Sequence, residues 1–282
     1  MKKLYIFIVA VLMLSLLVVP VLSGCGGVAP NAEVKVVTST SLIASIVEQV
    51  GGERVEVVNI IPPAQCPGHF DVAPGDIQKL ADADLFLLHG WQGEKFSGDL
   101  IASANNPDLT VVDINIEGNW MTPSVQTEAA DFIAGILSQV DAENADLYQN
   151  SAGEYKSFVS LKEGELQARM DRTDLSKVNV ICSDQQGDGF VQWTGLNIIA
   201  TFGRPDSLTP QLVKELVDKG REEGVALIID NMQSGADAGA GIAEELGCKR
   251  VILSNFPGGY ENAQTWDETI DYNVELILKA VA

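Results

Sequence analysis

Residues 142–170 read AENADLYQNSAGEYKSFVSLKEGELQARM, and together with residues 122–140 they carry a helical pattern that no strand interrupts. In the earlier piece Ala129, Ile133 and Leu137 recur at the spacing of one helix face. On both sides of this stretch, short apolar segments alternate with helical ones, which is typical of parallel sheets flanked by helices. We therefore predict an α/β fold of two lobes, each with a mainly parallel sheet, joined by one long linker helix.

The division that follows from this pattern has one lobe at 34–141, the linker at 142–175 and a second lobe at 176–282. Eight strands are predicted, at 34–37, 55–61, 84–88, 109–114, 178–182, 197–200, 225–229 and 251–253. Shorter helices are predicted near 42–50, 94–103, 187–195, 209–222, 236–246 and 264–280. A further short helix is predicted to be capped by Asp76.

The N-terminal segment, residues 1–24, resembles a bacterial lipoprotein signal. Lys2 and Lys3 precede an apolar run, and small residues then lead to Cys25. This resemblance implies cleavage before Cys25, a lipid on its thiol, a tether over 25–33, and a domain anchored at the extracytoplasmic face of the membrane. The alternative is an uncleaved anchor, because a helix rising ~1.5 Å per residue over this run nearly spans a bilayer.

The net charge limits the kinds of binding partner, and the cysteine count limits the disulfide pattern. The net charge of −21 repels nucleic acid and anionic headgroups, and it is compatible with a cationic ligand or simply with solubility. Of four cysteines, Cys25 is assigned to the lipid, and the odd number that remains excludes a fully paired disulfide scaffold.

Several segments resemble the solute-binding lipoproteins of zinc/manganese-type ABC transporters, in an order that covers nearly all of the mature chain. They are Val36-Val37-Thr38-Ser39, Ile61-Pro62-Pro63 through His69, Pro74-Gly75-Asp76-Ile77, Ala83-Asp84-Leu85, Trp120-Met121-Thr122-Pro123, residues 141–148 and Tyr272-Asn273. The resemblance implies a ligand cleft between the lobes and a divalent transition metal ion, such as zinc or manganese, as cargo. It also implies an ABC permease as partner, a monomer, and no catalytic activity.

The metal ligands of that family, three histidines with one carboxylate or two of each, are mostly absent. The chain has only two histidines, and His69 matches the first ligand position. The three other positions carry Gly118-Asn119, Ser183-Asp184-Gln185 and Ser254-Asn255. Asp184 is therefore a candidate replacement, while Asn119 and Asn255 are candidates for the ligand pocket.

Cys66 and His69 lie three residues apart in a proline-rich loop and could clamp one soft or borderline metal ion. Cys182 and Asp184 could complete the site from the opposite lobe. Asp230 follows an apolar strand, at the edge where open α/β sheets place ligands. The structural alternatives are that Cys66 is an ordinary loop residue and Cys182 a small core residue.

Amide and aromatic side chains near the predicted cleft favour a second kind of ligand, an organic molecule or a metal chelate. They are Trp91, Trp120, Trp193, Gln185, Gln186 and Gln192. Trp120 also suits a packing role. His89 follows a predicted strand and is either a second cleft histidine or an imidazole bonded at the strand end.

Two other functions remain open. Cys66 and His69 could act as nucleophile and base of a secreted hydrolase, although spacing alone does not align them with an oxyanion hole. An adhesin is the other alternative, and no separate adhesive module is recognisable.

Overall fold

Two four-stranded parallel sheets form the scaffold of the chain. They are seen in a computed structural model that describes residues 34–184 and 186–282. The predicted signal segment and tether, residues 1–33 with Cys25, lie outside the described residues, and so does Gln185.

The first sheet has the strand order β2-β1-β3-β4. Its elements are β1 (Val34–Thr38), α1 (Ser41–Gly51), β2 (Val55–Asn59), α2 (Pro74–Ala81), β3 (Leu85–Leu88), α3 (Phe96–Ala104) and β4 (Thr110–Asp113). Val36 pairs with Val57 on one side and with Leu85 on the other. Strands β1 and β3 are largely buried, as expected for central strands of a parallel sheet covered on both faces.

Two long helices follow, α4 (Pro123–Val140) and α5 (Ala145–Met170), and the second has 26 residues. The linker helix was predicted from Ala142, but α5 begins at Ala145 after a 3-10 turn. Asp141 holds this turn, because its carboxylate accepts hydrogen bonds from Asn144 Nδ2 at 2.9 Å and from the Tyr148 hydroxyl at 2.7 Å.

The second sheet has the order β6-β5-β7-β8 and repeats the parallel arrangement. Its elements are β5 (Asn179–Ser183), α6 (Gln186–Trp193), β6 (Asn197–Phe202), α7 (Pro210–Glu222), β7 (Leu227–Asn231), α8 (Met232–Gly235), α9 (Ala240–Leu246), β8 (Lys249–Leu253) and α10 (Trp266–Val281). The predicted fold class, two α/β lobes with parallel sheets and one long helix between them, is confirmed.

Two helix predictions need correction. The short helix α2 begins at Pro74, and Asp76 lies inside its first turn, where its carboxylate accepts the Ala73 N–H at 3.0 Å. The helix predicted over 236–246 begins only at Ala240, as α9, and the separate short helix α8 precedes the predicted range. Gly239, between them, donates its backbone N–H to Asp230 Oδ1 at 2.7 Å, a long-range contact that local periodicity does not reveal.

The largest apolar core is continuous between the two sheets. It includes Val36 and Leu87 of the first sheet and Ile229 of the second, and it also includes the fully buried Trp120 and Trp266. Because packed cores have little free volume, a shared core resists relative motion of the lobes. Within residues 34–184 and 186–282, no helix combines the length and apolarity needed to cross a membrane.

Candidate ligand-binding cleft

A cleft of about 840 Å³ opens between the carboxyl ends of the two sheets. This is the edge at which parallel α/β sheets bind ligands, because the loops that follow the strands converge there. Its volume lies in the range of organic-ligand pockets. The residues that line the cleft include Cys66, Trp91, Asp184, Arg204, Asn231 and Asn255.

Arg204 spans the cleft from the second lobe to the first. It follows β6, and its carbonyl accepts hydrogen bonds from the backbone N–H and the hydroxyl of Ser207, which fixes the turn Pro205–Ser207. Its Nη2 donates to Cys66 Sγ at 2.8 Å, and its Nη1 lies 3.5 Å from His69 Nε2. A guanidinium therefore stands beside the two residues predicted to clamp a metal ion.

The charge of Arg204 has no ion-pair partner among the described residues, and its buried Nε makes no hydrogen bond there. A thiol and an imidazole are weaker acceptors for a guanidinium than a carboxylate is. Arg250 provides the contrast, since its Nη1 lies 2.7 Å from Asp230 Oδ2. The cleft thus holds a half-buried cation whose hydrogen-bonding capacity is largely unused.

Asp184 lines the same cleft just beyond the end of β5. Burial raises its pKa, the carboxylate of Asp188 raises it further, and the charge of Arg204 acts in the opposite direction. The structure therefore brings Cys66 and His69 from one lobe and Asp184 from the other towards one guanidinium. His69 itself is exposed at the mouth of the cleft.

A complete protein-only metal centre is not formed by the described residues. No three His, Cys, Asp or Glu side chains lie close enough together within 34–184 and 186–282 to hold a metal ion. Cys66, His69 and Asp184 can supply at most part of a coordination sphere, because zinc and similar ions require four or more ligands.

Cys182 is not brought into the cleft, which corrects the expectation that it faces the opposite lobe. It lies within β5, is fully buried in the shared core beside Val180, and its pKa rises to about 12 because burial disfavours the thiolate. Helices cover both faces of the sheet, so a residue inside a central strand points into packing and not into the cleft.

Asp230 is also placed away from the cleft, contrary to the expectation. It lies within β7, is fully buried, pairs with Arg250, and accepts the Gly239 N–H. Burial raises its pKa, and the hydrogen bonds from Arg250 and Gly239 oppose that rise. Asp230 therefore holds the loop after β7 in position.

Trp120 and His89 are core residues beneath the first-lobe wall. His89 is 1% exposed, its Nε2 lies 2.7 Å from Thr40 Oγ1, and burial lowers its pKa well below the usual range. Its ring stacks on Trp91 at 3.6 Å and meets Trp120 edge-on at 4.3 Å. Of these three residues only Trp91 lines the cleft. His89 is a buried imidazole bonded at the end of its strand, and Trp120 packs in the core.

Glu94 holds the stacked rings of His89 and Trp91 in place through hydrogen bonds to their backbone. Its Oε1 accepts hydrogen bonds from the Ser39 hydroxyl and from the His89 N–H at 3.3 Å, and its Oε2 accepts the Trp91 N–H at 3.3 Å. Burial raises the pKa of Glu94, and these hydrogen bonds oppose that rise. The wall that carries Trp91 is consequently held by a buried polar network and not by the loop alone.

The predicted amide residues have different positions. Asn255 lines the cleft, whereas Asn119 is buried and its Oδ1 accepts the Met121 N–H at 2.8 Å. Gln186 begins α6, and Gln185 lies outside the described residues.

Several cleft residues were missed by reasoning from the sequence, among them Lys95, Arg204, Asn231 and Gln233. Asn231 ends β7, and its Oδ1 accepts the Gln233 and Ser234 N–H groups at 2.9 and 3.0 Å. Their position after a predicted strand is a usable signal, but nothing local distinguishes Arg204 from an ordinary surface arginine.

Comparison with known proteins agrees with this architecture. Over residues 36–280 the chain matches the family model described as "Zinc-uptake complex component A periplasmic". Among curated relatives, the manganese-binding lipoprotein MntA of Halalkalibacterium halodurans is 21% identical over 92% of this chain and 94% of its own length. The manganese transporter lipoprotein PsaA of Streptococcus mitis is 26% identical over 76% of this chain and 78% of its own.

Solved structures show the same fold. A crystal structure of ZnuA has a TM-score of 0.76 at 19% identity, covering 88% of this chain and 99% of that one. The solute-binding protein FpvC of P. aeruginosa, in complex with Ni²⁺, has a TM-score of 0.76 at 21% identity, covering 88% and 97%. Since the family model spans most of the chain, this protein belongs to the family of periplasmic zinc-uptake components A.

Proposed function

We propose that this chain is the extracytoplasmic solute-binding component of an ABC importer, and that a divalent transition metal is part of its cargo. Membership of the zinc-uptake family and relatives named for manganese support the class of cargo. An ABC permease is then its partner. A lipid on Cys25 would anchor the protein to the membrane, and we propose that it acts as a monomer.

The observation that carries the proposal is that Cys66 and Asp184, from different lobes, line the same cleft, and that Cys66 and the exposed His69 both contact Arg204 there. Thiolate, imidazole and carboxylate together suit zinc or another borderline divalent ion. The ligand would bridge the lobes, because its contacts come from both.

The hydrolase alternative needs the His69 imidazole to take the proton of the Cys66 thiol. In this structure both groups contact the guanidinium of Arg204. The arrangement therefore favours ligand binding over nucleophilic catalysis.

The metal content of the native protein tests the proposal. The full chain should be isolated from its own cells under anoxic, chelator-free conditions and analysed for zinc, manganese, iron, nickel and cobalt. We expect about one transition metal per chain, and at least about 10-fold weaker retention during dialysis in Cys66→Ser and His69→Ala, since each removes a direct ligand.

Cys248→Ser is the matched control, because Cys248 packs beside the separate apolar cluster under β7 and away from the cleft. It should retain metal like the wild type. Wild-type protein without any stoichiometric metal would refute the cargo, and equal retention in all three variants would refute the site.

The anchor is tested separately by Cys25→Ser followed by cell fractionation. We expect release from the membrane fraction, because the acyl chains of a lipoprotein supply stable anchoring and no helix within 34–184 and 186–282 could cross a membrane in their place. A variant that stays membrane-bound at its normal mature mass would contradict lipidation.

A further inference from the structure

We infer that the cleft takes its metal as an anionic complex with a small carboxylate-bearing chelator, and that Arg204 binds a carboxylate of that chelator. This inference rests on the proposed function and specifies the chemical form of the cargo.

Arg204 occupies the two side chains that a metal ion would need. Cys66 and His69 can ligate a metal only if they give up their contacts with the guanidinium, which now lie at 2.8 and 3.5 Å. A bare divalent ion would thus leave Arg204 without these acceptors and would add a second positive charge beside it. Unpaired charges in partly buried sites are costly, so a bare ion fits this cleft poorly.

A carboxylate on the incoming ligand removes both costs. It accepts hydrogen bonds from the guanidinium in a planar, two-pronged geometry, for which arginine is better suited than lysine. The Nε of Arg204 is buried and has no partner among the described residues, so the guanidinium is under-satisfied before any ligand enters.

Other cleft residues add donors of the same kind. Lys95 lines the cleft, is exposed, and forms no ion pair among the described residues. The side-chain N–H groups of Asn231 and Asn255 have no hydrogen-bond acceptor in the described chain, and both residues line the cleft. These groups favour a ligand with several oxygen acceptors over a single cation.

The cleft also has the size and shape for such a complex. Its volume of about 840 Å³ far exceeds that of one ion, and Trp91 offers a flat apolar surface on one wall. Asp184 and Cys66 supply metal-ligating atoms, whereas Arg204 and Lys95 supply positive charge. An anionic metal chelate can use both groups of residues, because its metal binds the ligating atoms and its carboxylates pair with the positive charges.

The test is calorimetric titration of the full-length protein in detergent with four kinds of probe. They are free Zn²⁺, Mn²⁺ or Ni²⁺, the same ions as 1:1 citrate complexes, the same ions as 1:1 nitrilotriacetate complexes, and each chelator without metal. The variants are Arg204→Ala and Arg204→Lys. Arg221→Ala is the matched control, because Arg221 is an exposed arginine of α7 that pairs with Glu245.

We expect at least one complex to bind wild type at least about 10-fold more tightly than its free ion or its free chelator. Arg204→Ala should weaken binding of that complex by about 10- to 100-fold, the usual effect of losing hydrogen bonds to a charged group. Arg204→Lys should lose part of this affinity, and Arg221→Ala none. Free-ion binding should stay equal or become tighter in Arg204→Ala, because a repelling charge is removed.

Weaker binding of the complex in Arg204→Ala, with no weakening of free-ion binding, is the signature of the inference. Free-ion binding as tight as that of every complex would overturn it while leaving metal delivery intact. Unchanged affinity for the complex in Arg204→Ala, or equally tight binding of a metal-free chelator, would also overturn it. Binding of no metal in any form would overturn the proposed function as well.

Discussion

Trp266 lies where the two lobes meet, and its replacement is the sharpest test of the shared core. It begins α10 in the second lobe, is 1% exposed, and belongs to the core that includes residues of both sheets. Its indole Nε1 donates to the carbonyl of Met121, in the first lobe, at 3.0 Å. One side chain therefore contributes both apolar packing and a hydrogen bond between the lobes.

These contacts set the unfolding free energy that is lost when Trp266 is replaced. Trp266→Ala removes a fully buried aromatic side chain and leaves a cavity, which costs about 3–5 kcal/mol of unfolding free energy. Trp266→Phe keeps most of the apolar area but leaves the buried Met121 carbonyl without its donor, at a cost of about 1–3 kcal/mol. Against a typical stability of about 5–15 kcal/mol, the alanine variant loses a large fraction.

Urea denaturation followed by circular dichroism measures the loss. Amide hydrogen exchange by mass spectrometry shows where it falls, through peptides from β1 in the first lobe and β7 in the second. Because the core is continuous, we expect Trp266→Ala to raise exchange in both strands together. Leu161→Ala on α5 is the control, since Leu161 is 72% exposed and should change stability by less than about 0.5 kcal/mol.

A loss below about 1 kcal/mol in Trp266→Ala would refute the packing argument. Faster exchange in β7 with unchanged exchange in β1 would show that the lobes unfold independently, and a shared core would then be the wrong explanation for limited lobe motion. Either result would also favour a hinged opening of the cleft.

Two further predictions concern buried charges. Burial lowers the pKa of His89, so below about pH 6.5 the unfolded chain binds a proton at this imidazole and the native chain does not. The unfolding free energy therefore decreases by up to about 1.4 kcal/mol for each unit by which the pH is lowered. His89→Gln should remove this part of the pH dependence in urea titrations between pH 7.5 and 5.5, and an unchanged pH dependence would contradict the prediction. Arg250→Met leaves the fully buried Asp230 unpaired and should cost about 3–5 kcal/mol at pH 7. Arg221→Met, which breaks an exposed pair, should cost less than about 1 kcal/mol, and equal losses in the two arginine variants would contradict the argument.

Most of the fold could be predicted because it is encoded in local patterns. Apolar β-branched runs and helical spacing depend on neighbouring residues, and all eight strands appear within a few positions of their predicted ranges. The misses occur where a distant partner decides the local structure. Asp230 accepts a hydrogen bond from the Gly239 N–H in the turn between α8 and α9. Asp141 accepts one from Tyr148 and holds the 3-10 turn that precedes α5.

The candidate site was predicted less well, because it depends on contacts between distant segments. The Cys66–His69 spacing is visible in the sequence, but Arg204 reaches that loop across 138 positions. A turn that reads Arg-Pro-Asp-Ser looks like ordinary surface. Only the packing of one lobe against the other brings its guanidinium to the thiol.

A simple rule separates the predicted residues that line the cleft from those that lie in the core. Residues inside the strands are covered by helices on both faces, as Cys182 in β5 and Asp230 in β7 are. Residues at or just beyond a strand's carboxyl end reach the cleft, as Asp184, Asn231 and Asn255 do. Matching a family's ligand position is therefore insufficient, because a shift of one or two residues along a strand moves a side chain from the cleft into the core.

The same rule determines the charge that a ligand meets. Arg204 follows β6 and so faces the cleft, where a metal-only site would need a ligand and not a cation. The cleft is far less acidic than the whole chain, whose net charge is −21, because Arg204 and Lys95 offset the carboxylates of Asp184 and Asp206 there. The proposed ligand would consequently be selected by the few residues that follow the strands, and these combine metal-ligating atoms with positive charge. That combination favours a metal that arrives with its own carboxylates.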